Sequence, residues 1–305
     1  MSIKLGYQIP NFSYGTGVER LFPTVVEQAR EAESAGFDAV FVMDHFYQLP
    51  GLGTPDQPML EAYTALGALA TATERVQLGT LVTGNTYRNP TLLAKAITTL
   101  DVVSAGRAIL GLGAGWFELE HDQLGFEFGT FTERFEKLNE ALEIILPMLA
   151  GERPTVNGKY YRTDQAMANP RYRDHIPLMI GGSGEKKTIP LAVQHFDHLN
   201  LIAPLADLPG KLDVVRARCD DAGRDPATLE TSTLITVIAD PGVTTDQLPE
   251  AFRNRAVVGS PDAIAEQIRA KVFDAGLDGV IFNMPMYTPG VLASIADALR
   301  PVLPA

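Results

Sequence analysis

Short apolar runs alternate with longer amphipathic stretches along the whole chain. Lys4–Ile9 reads as a first strand. Phe22, Val25, Val26, Ala29, Ala32 and Ala35 then recur at helical spacing and stop at Gly36, a residue suited to closing a helix. Ala39–Met43 follows as an unbroken apolar run of strand length. A strand that is apolar throughout is buried on both faces, the condition of a parallel sheet flanked by helices. Further strands are predicted at Val76–Val82, Arg107–Gly111, Leu178–Gly181, His198–Ile202 and Thr231–Ile238, with a last one through Val280-Ile281. The clearest helices between them are Leu60–Thr73, Thr91–Ser104, Lys186–Gln194, Leu208–Ala222 and Pro261–Ala275, the last begun by a Ser260 cap and a first-turn proline.

One cassette occurs twice. Glu33-Ser34-Ala35-Gly36-Phe37-Asp38-Ala39-Val40-Phe41 is echoed by Phe273-Asp274-Ala275-Gly276-Leu277-Asp278-Gly279-Val280-Ile281, a helix closing on glycine, an Asp-bearing turn and a buried strand. Strand–helix units repeated in this way predict an α/β fold, a single (β/α)8 TIM barrel over residues 1–305, rather than an open doubly wound sheet. The connection between strands 4 and 5 is oversized. It forms a large insertion at about 115–176, with a helix at Glu133–Leu149 and a polar stretch from Gly151 to Ile176. At the C-terminal end of a barrel strand, such a segment is predicted to be a lid or a pocket wall.

Charge narrows the partners. Lys and Arg number 25 against 37 Asp and Glu, a net charge of −12, which would repel a phosphate backbone; with no basic stripe, no nucleic-acid partner is expected. The single cysteine, Cys219, excludes an internal disulfide and zinc sites built from several thiolates. No run reaches the ~18 apolar residues of a membrane span, and Met1–Gly6 has no signal-peptide core. The expectation is a soluble, cytoplasmic protein with no membrane partner.

Barrel enzymes place reacting groups at the C-terminal ends of their strands. His45 lies there, a candidate general acid or base because imidazole titrates near neutral pH, and Asp44 beside it is a ligand contact or a turn cap. Gly111-Leu112-Gly113-Ala114-Gly115 is not a dinucleotide fingerprint, since Trp116 stands where the third glycine belongs; it suits close backbone approach to a planar ligand, or tight packing. Gly181-Gly182-Ser183-Gly184, with a helix expected from about Glu185, suits a phosphate, which Lys186 and Lys187 could help neutralise. Glu118, Glu120, His121 and Asp122 match no ligand spacing and read as a solvated acidic turn. His195 and His198 are not assigned to a metal either, so no metal is expected.

Met43-Asp44-His45, the run Leu78–Pro90 ending in Tyr87-Arg88-Asn89-Pro90, Arg107–Gly115 with Trp116, and Ile180–Gly184 together resemble the bacterial luciferase-like monooxygenase superfamily. The similarity is greatest to its branch of coenzyme F420-dependent oxidoreductases, and it extends to Val258-Gly259-Ser260-Pro261 and Ala275–Val280. The resemblance implies a barrel that binds a deazaflavin, or alternatively FMN, at its C-terminal mouth, moves a hydride to or from a small-molecule substrate, and forms a homodimer. It implies His45 near the reacting carbon, and cofactor contacts from Asp44, Leu81, Val82, Thr83, Gly113, Ala114, Gly115, Trp116, Gly181, Gly182 and Ser183. The peptide joining Leu81 to Val82 is implied to be cis. Deazaflavin sugar-phosphate dehydrogenases carry a proton-donating glutamate where this chain has Trp116, which leaves Glu118, two residues on, as the candidate acid.

Three rival readings remain. One is an FMN-dependent monooxygenase using molecular oxygen. Another is a non-catalytic cofactor-binding or carrier protein, against which His45 argues. The third is a barrel aldolase or isomerase, which would need a Schiff-base lysine or a carboxylate base at a strand end; no lysine stands in such a place.

Overall fold

The apolar runs become the staves of a closed barrel in the computed structural model, which describes residues 2–304. Strands β1 (Leu5–Ile9), β2 (Ala39–Val42), β3 (Gln77–Thr80), β4 (Ala108–Gly113), β5 (Leu178–Gly181), β6 (His198–Leu201), β7 (Glu230–Ile238) and β8 (Gly279–Asn283) pair in parallel in chain order. The ring closes where β8 returns to β1, with Leu5 opposite Val280. This is the (β/α)8 barrel expected from the sequence. Side chains alternate across each stave: Ala39 and Phe41 join Ile109, Met179 and Ile281 inside the barrel, while Val40 and Val42 face the helices. Both faces are therefore apolar, which is why these strands read as unbroken runs.

Helices α1 (Val18–Ala35), α2 (Ala62–Ala72), α3 (Pro90–Val103), α4 (Glu118–Leu124), α5 (Phe131–Ala150), α6 (Thr188–His195), α7 (Leu208–Ala222), α8 (Glu250–Arg253), α9 (Pro261–Ile268) and α10 (Val291–Leu299) form the outer layer and its connections. The first closes on Gly36, whose φ of 97° lets its N–H reach the carbonyls of Ala32 and Glu33. A reciprocal cap between Thr130 and Glu133 starts α5. That helix packs on α3, so it takes the place of the barrel's own helix within the long fourth connection. The chain after it forms a small antiparallel pair, Val156–Asn157 with Arg162–Thr163.

Several boundaries differ from the expectations. Strand β3 stops at Thr80, and Thr83–Gly84 resumes as a short strand on β4, which itself runs on to Gly113. The peptide between Leu81 and Val82 is cis, as the resemblance implies. The expected helix Pro261–Ala275 is α9 followed by a π-helical turn at Arg269–Phe273. Ala256–Val258 adds an unexpected strand beside β7. Among the described residues no helix is long and apolar enough to cross a membrane.

Candidate active site

A cavity of about 560 Å³ opens at the C-terminal ends of the strands, within the size range of small-molecule sites. Every site residue expected from the sequence lines it except Glu118: Asp44, His45, Leu81, Val82, Thr83, Gly113, Ala114, Gly115, Trp116, Gly181, Gly182 and Ser183. Glu118 is exposed on the first turn of α4 and does not reach the cavity. The carboxylate beside His45 is Glu120, two residues further along. Nor is this stretch a solvated turn. One helical turn faces Glu120 and His121 inward, and both are fully buried. His121 donates to or accepts from Thr86 Oγ1 through Nε2 at 2.7 Å and stacks on Tyr87.

Glu120 is surrounded by donors. Its Oε1 accepts from the backbone N–H groups of Phe46 at 2.5 Å and Tyr47 at 2.8 Å; its Oε2 faces His45 Nδ1 at 2.8 Å and accepts from the Tyr87 hydroxyl. Burial alone would push its pKa up, but the bonds from His45, Tyr87 and Tyr47 outweigh burial and hold it below the usual carboxylate value. The edges of Trp116 and Phe117 frame the His45 ring, with centroids at 5.7 and 5.8 Å. Trp116 itself is 60% exposed, a large apolar face left open at the mouth.

Asp44 is buried and pairs with Arg88, which also reaches Glu61 at 2.6 Å. Burial raises the Asp44 pKa against the pull of that guanidinium. Its second oxygen, Oδ1, is buried without a hydrogen-bond partner among the described residues. Removing this carboxylate leaves Arg88 buried with only the half-exposed Glu61. Asp44→Ala is therefore expected to lose about 3 kcal/mol of stability, read from urea unfolding against the parent; a loss below about 1 kcal/mol would show the pair to be idle.

The segment after β3 is held from below. Thr236 Oγ1 donates to Asn283 Oδ1 at 3.0 Å, Asn283 Nδ2 donates to Gln8 Oε1 at 3.1 Å, and Gln8 Nε2 donates to the Leu81 carbonyl at 3.0 Å. Thr83 Oγ1 bonds both Tyr63 and Thr80 at 2.7 Å. The Val82 side chain then projects over three glycines. A Cβ on Gly113 would lie 2.9 Å from a Val82 methyl, and one on Gly111 or Gly181 would lie 3.2 Å away. Of the two readings the sequence left open for the fourth-strand glycines, tight packing is the one these contacts carry: Gly111 makes room for the Thr80 carbonyl and Gly113 for Val82.

The glycine turn after β5 departs from expectation as well. Gly182, at φ 135°, gives its N–H to the Asn200 carbonyl at 3.0 Å, and Ser183 Oγ donates to the Ile202 carbonyl at 2.9 Å. Neither of those donors is free for a phosphate. A turn occupies Glu185–Lys187, and α6 begins only at Thr188. Lys186 is exposed, whereas the Lys187 ammonium lies over the rings of Phe131 and Phe135, two cavity residues, at 5.7 and 5.3 Å.

Arg255, Glu120, Tyr87 and Arg88 complete the site, and the sequence reading gave none of them a role. Arg255 lines the cavity with no carboxylate partner among the described residues, and burial pulls its pKa below the usual guanidinium value. Only the Tyr87-Arg88-Asn89-Pro90 motif offered a signal for two of the four. The residues present fit a ring cofactor with an anionic part. A buried acceptor on Asp44 lacks a partner, Val82 forms a wall across the mouth, and an unpaired guanidinium faces the same space. Among the described residues no group of three or more metal-ligating side chains converges.

The luciferase-like monooxygenase family matches residues 3–245. The chain belongs to that family. Its curated relatives include F420-dependent dehydrogenases. It is 37% identical over 181 residues to the F420-dependent glucose-6-phosphate dehydrogenase of Nakamurella multipartita, covering 58% of this chain and 52% of the relative. It is 32% identical over 221 residues to the F420-dependent hydroxymycolic acid dehydrogenase of Mycobacterium tuberculosis, covering 71% and 59%. The chain spans about half the length of the curated relatives it matches. Among solved structures, an F420-dependent secondary alcohol dehydrogenase holding an F420–acetone adduct superposes with a TM-score of 0.86 at 21% identity over the full length of both chains. The oxygenating component of 3,6-diketocamphane monooxygenase from Pseudomonas putida, in complex with FMN, superposes at 0.76 and 18% identity, covering 99% of this luciferase-like chain and 98% of that one. The barrel is thus shared with a protein that holds F420 and with one that holds FMN.

Proposed function

We propose that this luciferase-like chain is a coenzyme F420-dependent oxidoreductase acting on a small organic substrate. The observation that carries the reading is the meeting, in one cavity, of Asp44-His45, the Leu81–Thr83 segment and the Gly181–Ser183 turn in a chain whose curated relatives include F420-dependent dehydrogenases. When bound, the deazaflavin supplies the hydride acceptor or donor. The chain's own residues do the rest. Asp44 Oδ1 accepts a hydrogen bond from the cofactor, and Val82 backs it. The Gly181–Ser183 turn leaves space for its tail, and Arg255 with Lys187 offsets anionic charge on the ligands. His45 exchanges a proton with the substrate, and Trp116 walls the substrate side in place of a carboxylate. A cytoplasmic homodimer belongs to the same reading; Leu92, Val102 and Val103, left exposed on α3, support the association of two copies.

The FMN-dependent alternative is weighed against the relatives. The solved FMN protein supports only the shared fold at 18% identity, whereas F420-dependent relatives reach 38%. Gly182→Asp tests the turn. The new side chain meets Thr188 at 3.2 Å from a backbone held at φ 135°, and its charge opposes an anionic tail. Coenzyme affinity is expected to fall by about 2–3 kcal/mol in a fluorescence titration. A folded variant that binds as well as the parent would make the turn structural only.

A further inference from the structure

Glu120 can only accept hydrogen bonds when ionised, and its four contacts are arranged in two pairs. Two backbone N–H groups, from Phe46 and Tyr47, converge on Oε1. His45 Nδ1 and the Tyr87 hydroxyl converge on Oε2. The carboxylate is fully buried, so each bond is made in a medium where an unmade one is costly. Facing an acceptor at 2.8 Å, Nδ1 must carry the imidazole's hydrogen. Among the described residues nothing bonds Nε2, and His45 lines the cavity with 12% of its side chain exposed. Trp116 and Phe117, themselves in contact, meet the ring at steep interplanar angles from one side.

We propose that Glu120 is a positioning residue which holds His45 as its Nδ1–H tautomer, so that Nε2 alone exchanges a proton with the substrate. This rests on His45 being the proton-transfer residue of the proposed function and names what makes it one. The neutral ring presents a lone pair at Nε2. After Nε2 takes the substrate's proton, the resulting imidazolium is balanced by the adjacent carboxylate, with Nδ1–H still bonded to Oε2. In the reverse direction the same proton leaves from Nε2. Glu120 itself neither gains nor loses a proton, consistent with a pKa that its donors keep low against burial. Asp44, beside His45 after β2, and Arg88, just before α3, are already matched to each other.

The arrangement makes Glu120→Gln a tautomer switch. A glutamine has one carbonyl oxygen and one NH2. Two backbone donors on the Oε1 side demand the oxygen there, because the opposite orientation would set NH2 against two N–H groups. The NH2 therefore faces Nδ1, which becomes an acceptor, and the imidazole hydrogen moves to Nε2. The hydroxyl of Tyr87 can rotate to accept from the same NH2.

The test is a long-range 15N–1H spectrum of the cofactor-free chain, with His45 assigned by its loss in His45→Ala and the pH raised until the ring nitrogens report the neutral form. The parent should show Nδ1–H, E120Q should show Nε2–H, and Y87F, which keeps the carboxylate, should still show Nδ1–H. Turnover of the F420-loaded E120Q enzyme should fall about 100-fold or more, with coenzyme affinity within about twofold of the parent. A parent ring protonated at Nε2, an E120Q ring unchanged from the parent, or a Y87F ring that switches would each overturn the proposal. If E120Q does not fold, the parent and Y87F spectra still decide it. Because the spectra need no cofactor, a wrong cofactor assignment would leave them intact and show itself in binding instead.

Discussion

His45→Ala is expected to lower turnover by about 100-fold or more while leaving coenzyme affinity largely unchanged. The ring sits at the cavity end of β2 with Nδ1 tied to Glu120, so its loss removes the proton-exchanging nitrogen without touching the residues placed against the cofactor, namely Asp44, Val82 and the Gly181–Ser183 turn. Stopped-flow single turnover reads the hydride step, and a coenzyme titration reads affinity. An unchanged single-turnover rate in the variant would remove His45 from the chemistry. A large loss of affinity with an unchanged bound rate would instead make it a binding residue.

Gly111→Ala should be among the most damaging single substitutions for stability, with an expected loss of about 3 kcal/mol. A Cβ at this position would fall deep inside van der Waals contact with the Thr80 carbonyl oxygen, a backbone atom that cannot rotate away, and it would also press on Val82. Gly79 is similar, since a Cβ there would lie 2.6 Å from the Ile109 carbonyl oxygen, so β3 and β4 meet through glycines on both sides. Gly210 is the control. It lies in α7 with nothing within 4 Å of a built Cβ, and alanine there should be neutral or stabilising by up to about 1 kcal/mol. Urea unfolding of the two variants separates them. Equal stability for Gly111→Ala and the parent would mean that the third and fourth strands can part without cost, and that Val82 is not fixed where it stands.

The barrel was legible because its staves are apolar on both faces. Runs such as Ala39–Met43 carry no alternation to confuse with an exposed strand, and glycines such as Gly36 mark where the helices between them stop. Most of the site was legible for a related reason: Asp44, His45 and Gly181–Ser183 stand at strand ends, which a barrel gathers into one mouth. The cis peptide at Leu81–Val82 came from the family resemblance alone, since composition and spacing say nothing of it.

What the sequence hid was polar burial. Glu118-Leu119-Glu120-His121-Asp122 has the composition of a solvated turn, and the partners that bury Glu120 lie more than 70 residues earlier, at His45, Phe46 and Tyr47. A helix of only seven residues then decides which of two nearby glutamates turns inward. Choosing Glu118 followed proximity to Trp116, whereas helical periodicity gave the inward place to Glu120. Arg255 was missed because its significance is a missing partner, and an absent carboxylate leaves no mark in a sequence. The glycines of β4 could be read as serving a ligand or tight packing, and only the fold, which sets the Thr80 carbonyl and Val82 against them, separates the two.

The measurement that tests the central claim most directly is a parallel binding titration of the purified chain with coenzyme F420 and with FMN under one set of conditions. F420 should bind saturably, less tightly in Gly182→Asp and in Asp44→Ala, and FMN should bind much more weakly. Tight FMN binding with no measurable affinity for F420 would contradict it.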